Sequence, residues 1–255
     1  MSEGSGILTE RKGKILLITI ARPEVRNALD LPTATALTAA VDDLDSDPSL
    51  SVAVLTGSGG TFCAGMDLRA FQTTGQRPEV PGRGLAFTRR RPIKPIIAAV
   101  EGAAVAGGFE LVLACDLVVA SASARFALPE ARLGLLAAAG GLVRLASKVP
   151  RSVAMELGLT GRVLDADEAL RWGLVSSVVA EGEAATAAIA LAALVAESAP
   201  TSTRLTKQLV DSVGVPWDES MQLQDTLLAE VLATEDANEG TRAFLEKRPP
   251  VWSGA

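Results

Sequence analysis

A recurring order of short β-branched runs and helical stretches constrains this chain more than any other feature of its sequence. Lys14–Ile20 (KILLITI) reads as a strand, a turn-prone Ala21–Glu24 follows, and Asp30 with Pro32 marks a helix start at Leu31. That helix runs through Val41 and Leu44 until Asp45-Ser46-Asp47-Pro48 stops it, and Ser51–Thr56 (SVAVLT) reads as a buried strand. The order recurs at Lys94–Val100 (KPIIAAV), a strand leading into the glycine-rich Glu101–Gly108, an apolar helix to Cys115 and a short strand over Asp116–Ala120. Further on, Asp165 and Glu168 have capping-box spacing ahead of ADEALRW, Gly173 can end that helix, and Leu174–Val179 reads as another strand. Strands that alternate with helices in this way predict an α/β core.

After about Glu181 only helix signals remain: Ala184–Ser198, Ser202–Val213, Trp217–Ala233 and a segment around Glu239–Lys247. A helical tail this apolar serves either as a lid over the core or as an oligomer interface, and periodicity does not separate the two. Gln72–Gly84, with its Thr, Gly, Pro and Arg, is the candidate mobile loop.

Composition narrows the chemistry. With 255 residues, 48% of them hydrophobic, the chain can bury one large core. The start MSEGSGILTERKGK has no apolar signal region, and apolar stretches such as GLLAAAGGLV fall short of the ~18 residues a membrane span needs, so a soluble cytoplasmic protein is expected. A net charge of -6 argues against a nucleic-acid partner, which calls for a broad basic surface. Two local basic groups, Arg89-Arg90-Arg91 with Lys94 and Lys247 with Arg248, could meet an anion or simply be solvated. There is no histidine, which excludes Ser-His-Asp and Cys-His catalysis and His-ligated metals, and there is no tyrosine. Cys63 and Cys115 lack disulfide or zinc-site spacing and read as packing residues, so no metal is expected. Acid–base work falls to carboxylates, Lys or Cys.

Glu110 is the one carboxyl in the otherwise apolar helix of AGGFELVLAC, so it should be buried with its proton affinity raised. A salt bridge or backbone donors could equally satisfy it. Gly107 and Gly108 ahead of it allow close backbone approach and free N–H groups at a helix start, although tight packing accounts for a glycine pair as well. A second glycine turn, Gly57–Leu68 (GSGGTFCAGMDL), follows a strand, matches neither the P-loop nor the dinucleotide fingerprint, and offers an amide near Met66. Two amides from separate turns suit a thioester carbonyl becoming an enolate. Glu130, after Pro129 in FALPE, is the other carboxyl candidate, and spacing alone does not bring it to Glu110.

FCAGMDL (62–68), AVAGGFELVLACD (104–116) and FALPEARLG (126–134), with ARPEVRNAL (21–29), ELGLTGRVLDADEALRWGLVSSVV (156–179) and AFLEKRPPVW (243–252), resemble the crotonase, or enoyl-CoA hydratase/isomerase, superfamily. The resemblance implies a spiral of repeated ββα units over residues 1–195 that holds an acyl-CoA thioester, a helical C-terminal region over 196–255, and homotrimers commonly paired as hexamers. It implies oxyanion amides at Met66 and Gly107 and acid/base glutamates at Glu110 and Glu130. For coenzyme A, which is part of the substrate and leaves no separate cofactor, it points to Arg22 or Arg26 near the phosphates and backbone around Ala64, Asp67 and Leu68 near the adenine. Gly108 joins the substrate-binding set, and Phe244 with Lys247 reach a neighbouring subunit's ligand.

The implied reaction is hydration of a trans-2-enoyl-CoA, as in fatty-acid metabolism, by a water held between Glu110 and Glu130. The stretch GLLAAAGG (134–141) departs from the Pro and Gly that many hydratases carry there, leaving Ala138 N–H to position the water. GGFEL, FALPEA, ALRWG and EDANEGTRAFLEKRPPVW look similar to carnitinyl-CoA dehydratase-type members, so that activity is the alternative, beside isomerisation and, more remotely, non-catalytic acyl-CoA binding.

Overall fold

A computed structural model describes residues 5–254; residues 1–4 and 255, which the terminal readings and both expected regions include, lie outside the described residues. The chain opens with a hairpin of β1 (Ile7–Lys12) and β2 (Ile15–Ile20), paired antiparallel from Ile7↔Ile20 to Lys12↔Ile15. β1 was not legible as a strand because all but its first residue are exposed, the charged character expected of a sheet edge. α1 (Leu31–Ser46) starts where expected, with the Asp30 carboxylate accepting Thr33 N–H at 2.9 Å. β3 (Val52–Gly57), α2 (Leu68–Thr74), β4 (Ile96–Val100), β5 (Ala103–Val105), α3 (Gly107–Ala114), β6 (Leu117–Ser121) and β7 (Arg125–Ala127) follow. Then come α4 (Gly141–Lys148), α5 (Arg151–Thr160), β8 (Leu164–Asp165), α6 (Ala166–Arg171), β9 (Ser177–Val179) and the helices α7 (Ala184–Ala196), α8 (Pro200–Asp211), α9 (Trp217–Leu232) and α10 (Glu235–Glu246).

The strands form two sheets. The larger has the order β1-β2-β3-β4-β6-β9, parallel from β2 onward, and the smaller has the order β5-β7-β8. Cys63 extends the smaller sheet through a parallel bridge to Ala104, which in turn pairs with Phe126 of β7. A unit therefore repeats: β3, Cys63, α2; β4, β5, α3; β6, β7, α4. Each unit leaves the large sheet, crosses the small one and ends in a helix, which is the expected ββα spiral. The second strands are three residues long and sit inside glycine-rich or polar sequence, which hid them from a reading based on periodicity.

Both faces of the large sheet are covered, so its strands are continuous apolar runs. Val52, Val54, Ile97, Ala99 and Val119 meet Ala184, Ala188 and Ala192 of α7, while Ala53, Leu55, Ile96 and Ala98 face the main core. The alanines recur every four residues and let α7 lie close to the strands. Thus α7, the first helix after the last strand, is a layer of the core. Among the described residues no single helix is long and apolar enough to cross a membrane; α7 and α8 pass that test only as a pair, bent by 108°.

The two basic groups disperse into separate contacts. Lys94 Nζ donates to the carbonyls of Leu44 and Asp47 at the end of α1, Arg91 pairs with Asp211, and Arg248 pairs with Glu239 and Glu246. Asp165 caps α6 through Glu168 N–H, but the Glu168 carboxylate turns to Arg162, so the capping box is half formed. Cys63 and Cys115 are buried and free, and burial pushes the Cys63 thiol up to about 12.

Candidate active site

Two glycine turns are locked against each other at the start of α3. Cys63 N donates to Ala103 O and Val105 N to Cys63 O, both at 3.0 Å, which sets the first turn beside the second. The contact is too close for side chains. A Cβ on Gly65 would lie 2.8 Å from the Ala106 Cβ and 3.0 Å from Gly107 N, and one on Gly108 would lie 2.2 Å from Cys63 O. Ala106, the N-cap of α3, takes φ 52 and ψ −126, a sparsely populated conformation for a residue with a side chain, fixed by its N–H to Ala127 O. No hydrogen bond among the described residues uses the N–H of Met66 or of Gly107, the first residue of a helix and therefore without an intrahelical acceptor. Both residues line one cavity of about 800 Å³.

Glu110 enters that cavity from α3 and is only 4% exposed. Its Oε1 accepts Gly141 N–H at 2.9 Å. Desolvation pushes the Glu110 carboxyl up to about 7; the amides of Gly141 and Ala139 and the charge of Arg144 oppose the rise, and Glu130 adds to it. Glu130 opens a 3-10 turn (Glu130–Leu133) just after β7 and is 8% exposed. Its proton affinity is also raised by burial, and its Oε2 is buried with no hydrogen-bond partner among the described residues. Phe109 and Phe126, with ring centroids 5.2 Å apart, pack α3 on β7 and so bring the two glutamates to one cavity.

Leu68, Phe71, Leu85, Val105, Leu133, Leu135 and Leu136 make most of the remaining wall apolar, and Arg77 and Glu79, 3.0 Å apart, add one ion pair. Of the residues singled out in the sequence, Ala64, Met66, Leu68, Gly107, Glu110, Glu130 and Ala138 line this cavity. Gly108 does not; it is the packing glycine behind the turn. Arg22 and Asp67 face each other at 3.2 Å, with Asp30 also 3.1 Å from Arg22, and Asp67 caps α2. Arg26 is exposed and forms no ion pair among the described residues. Phe244 (83% exposed) on α10 and Lys247, the exposed left-handed residue that ends that helix, are not among the residues lining the cavity.

Gly141 was missed. Its signal was the pair Gly140-Gly141 opening a helix as Gly107-Gly108 does, and a Cβ there would stand 2.5 Å from Glu110 Cγ. Among the described residues no three His, Cys, Asp or Glu side chains converge as metal ligands.

Two buried carboxyls of raised proton affinity beside two amides that no hydrogen bond among the described residues uses, in one mostly apolar cavity, are the groups that enolate formation from a carbonyl compound calls for. Comparison with known proteins places this arrangement in a family. A mevalonyl-coenzyme A hydratase of Aspergillus fumigatus is 40% identical over 93% of this chain and 91% of its own. A carnitinyl-CoA dehydratase of Salmonella paratyphi A is 41% identical over 96% and 97%. The crystal structure of an enoyl-CoA hydratase from Mycobacterium tuberculosis superposes with a TM-score of 0.96 at 47% identity, covering 98% of this chain and all of that one. The sequence pattern of the enoyl-CoA hydratase/isomerase family matches residues 10–255, and the chain belongs to that family.

Proposed function

We propose that this chain is a hydro-lyase that reversibly adds water across the double bond of a trans-2-enoyl-CoA thioester. The observation that carries this reading is the convergence of Glu110, Glu130 and the unused N–H groups of Met66 and Gly107 on one cavity. In the hydration direction, a water between the two carboxyl groups gives a proton to a carboxylate as its oxygen bonds to the β-carbon. The electron pair of the double bond moves onto the thioester oxygen, where the two amides stabilise it, and a carboxylic acid returns a proton to the α-carbon. Loss of one such amide donor typically costs about 3 kcal/mol of barrier.

Supporting contacts extend the proposal to the rest of the ligand. Backbone near Ala64 and Leu68 meets coenzyme A at the cavity rim, and Arg26, exposed and without an ion pair among the described residues, meets its phosphates better than Arg22, which already faces two carboxylates. We assign residues after 196 to assembly of a homotrimer or a pair of trimers in the cytoplasm, supported by exposed Val210, Val213, Trp217, Leu232, Phe244 and Leu245. Dehydration of carnitinyl-CoA is the second reading. Phe71 and Glu79 on the cavity wall offer the ring and carboxylate that a quaternary ammonium favours, but Arg77 already neutralises Glu79, which weighs for an uncharged acyl chain.

The deciding assay follows enoyl-thioester absorbance on adding the protein to crotonyl-CoA, longer enoyl-CoAs and crotonobetainyl-CoA, with products identified by mass. Gain of one water on uncharged substrates is the expected result. Turnover confined to crotonobetainyl-CoA would establish the second reading, and a shifted double bond with no added water would establish an isomerase.

A further inference from the structure

Glycines 140 and 141 each leave room for one charged side chain, on opposite sides of a single turn. Gly140 has φ 94, and a Cβ there would lie 2.3 Å from Arg144 Nη1; a Cβ on Gly141 would lie 2.9 Å from Glu110 Oε1. The turn is thus held between a guanidinium and the carboxyl. Arg144, on the first turn of α4, is half-buried and forms no ion pair among the described residues. It donates instead to two backbone carbonyls, Thr88 O from Nη2 and Ala139 O from Nη1 at 3.4 Å. Thr88 is itself fixed: its Oγ1 accepts Leu85 N–H at 3.0 Å, and Ala86 O of the same turn accepts the Thr38 hydroxyl of α1 at 3.2 Å.

We infer that Arg144 is a positioning residue for Glu110: it ties the Ala139–Gly140 turn to Thr88 and thereby holds the Gly141 amide on the carboxyl that exchanges the proton. A planar guanidinium suits this bridge, because its fixed fork of donors reaches two carbonyls at once, whereas an ammonium is a point charge. The charged groups facing Glu110 are Glu130 and Arg144, and those facing Arg144 are Arg91, Asp211 and Glu110, with the buried Cys115 thiol nearby. Removing Arg144 removes a favourable charge and loosens an amide bond to the ionised carboxyl. Both changes shift Glu110 titration toward higher pH.

The inference rests on the proposed hydration reaction for its kinetic test. Arg144→Met should lower kcat about 10- to 100-fold, the scale of a misplaced acid–base group, with KM for an enoyl-CoA changed less than about threefold. The pH limb of kcat assigned to Glu110 should move to higher pH. Arg144→Lys, which keeps a charge and a long stem, should restore the limb partly and kcat incompletely. A second readout does not depend on turnover: the Glu110 carboxyl band in the infrared, identified by its loss in Glu110→Gln, should titrate at higher pH in either Arg144 variant than in the unmodified protein. If that titration and the kcat limb both stay in place in a folded variant, the inference fails. If the band shifts but no enoyl-CoA is hydrated, the positioning role stands and the reaction assignment falls. Should the Met variant not fold, the Lys variant carries the same two tests.

Discussion

The two glutamates share a cavity but stand on different kinds of backbone. Glu110 is the fourth residue of α3, in which every residue from Gly107 to Leu113 is buried, and its carboxyl accepts an amide at 2.9 Å. Glu130 begins a 3-10 turn that runs directly into Leu133, Leu135 and Leu136, all exposed, and its Oε2 has no partner among the described residues. A buried acceptor without a donor typically costs about 1–3 kcal/mol, and native structures keep one where a function uses it. The difference separates a carboxyl whose place is set by the fold from one left open for a hydrogen bond with water or substrate.

The largest expected effect tests whether both carboxyls are needed despite this difference. Glu110→Gln and Glu130→Gln should each lower kcat by at least about 100-fold, the low end of general acid–base contributions, while dissociation constants for a non-reacting acyl-CoA change little. If one variant keeps near-normal turnover, the chemistry belongs to a single carboxyl, and double-bond migration becomes the better reaction.

Glycines beside the two residues sharpen the contrast. Gly141→Ala places a methyl 2.5 Å from Glu110 Cγ, so Glu110 or the turn must move, and kcat should fall roughly tenfold or more with a stability loss of about 1–3 kcal/mol. Gly134→Ala, at the end of the Glu130 turn, meets nothing within 4 Å and bears only the strain of its φ of 69. It should cost about 1 kcal/mol in a urea titration and leave kcat within about threefold. Equal kinetic losses in the two variants would mean that the Glu130 turn is held as tightly as α3.

The asymmetry between these regions was only half legible in the sequence. The burial of Glu110 followed from GGFELVLAC, in which no other side chain is charged, and β3 and β4 followed from apolar runs that only a doubly covered sheet sustains. Proximity of Glu130 to Glu110 was not legible, because it depends on β5 pairing with β7 and on Phe109 meeting Phe126, long-range contacts made by three-residue strands that carry no period. Gly108 read as a ligand-facing amide because a glycine pair at a helix start has two uses, and only the 2.2 Å approach of Cys63 O to its Cβ position selects packing. The resemblance offered Arg22 or Arg26 for the phosphates, and a single sequence does not show that Asp30 and Asp67 fold back onto Arg22 and leave Arg26 exposed.

The smallest effect concerns stability. Glu110 binds its proton more tightly folded, at about 7, than at its ordinary value of 4.5, so its contribution is fully present below about 4.5 and is lost as pH rises through 7. Above that range the folded protein carries a buried charge that Glu110→Gln removes while keeping an oxygen for the Gly141 amide. Relative to the unmodified protein the variant should gain about 2 kcal/mol at pH 8, after a cost of about 1 kcal/mol for desolvating the Gln amide, and lose about that 1 kcal/mol at pH 4, where the carboxyl is already neutral. Glu130, also raised by burial but next to an exposed loop that can open to water, should show the same sign with a smaller gain in Glu130→Gln. Urea midpoints at the two pH values measure both. A larger gain at Glu130 would reverse the comparison and make the 3-10 turn, not α3, the more closed of the two sites.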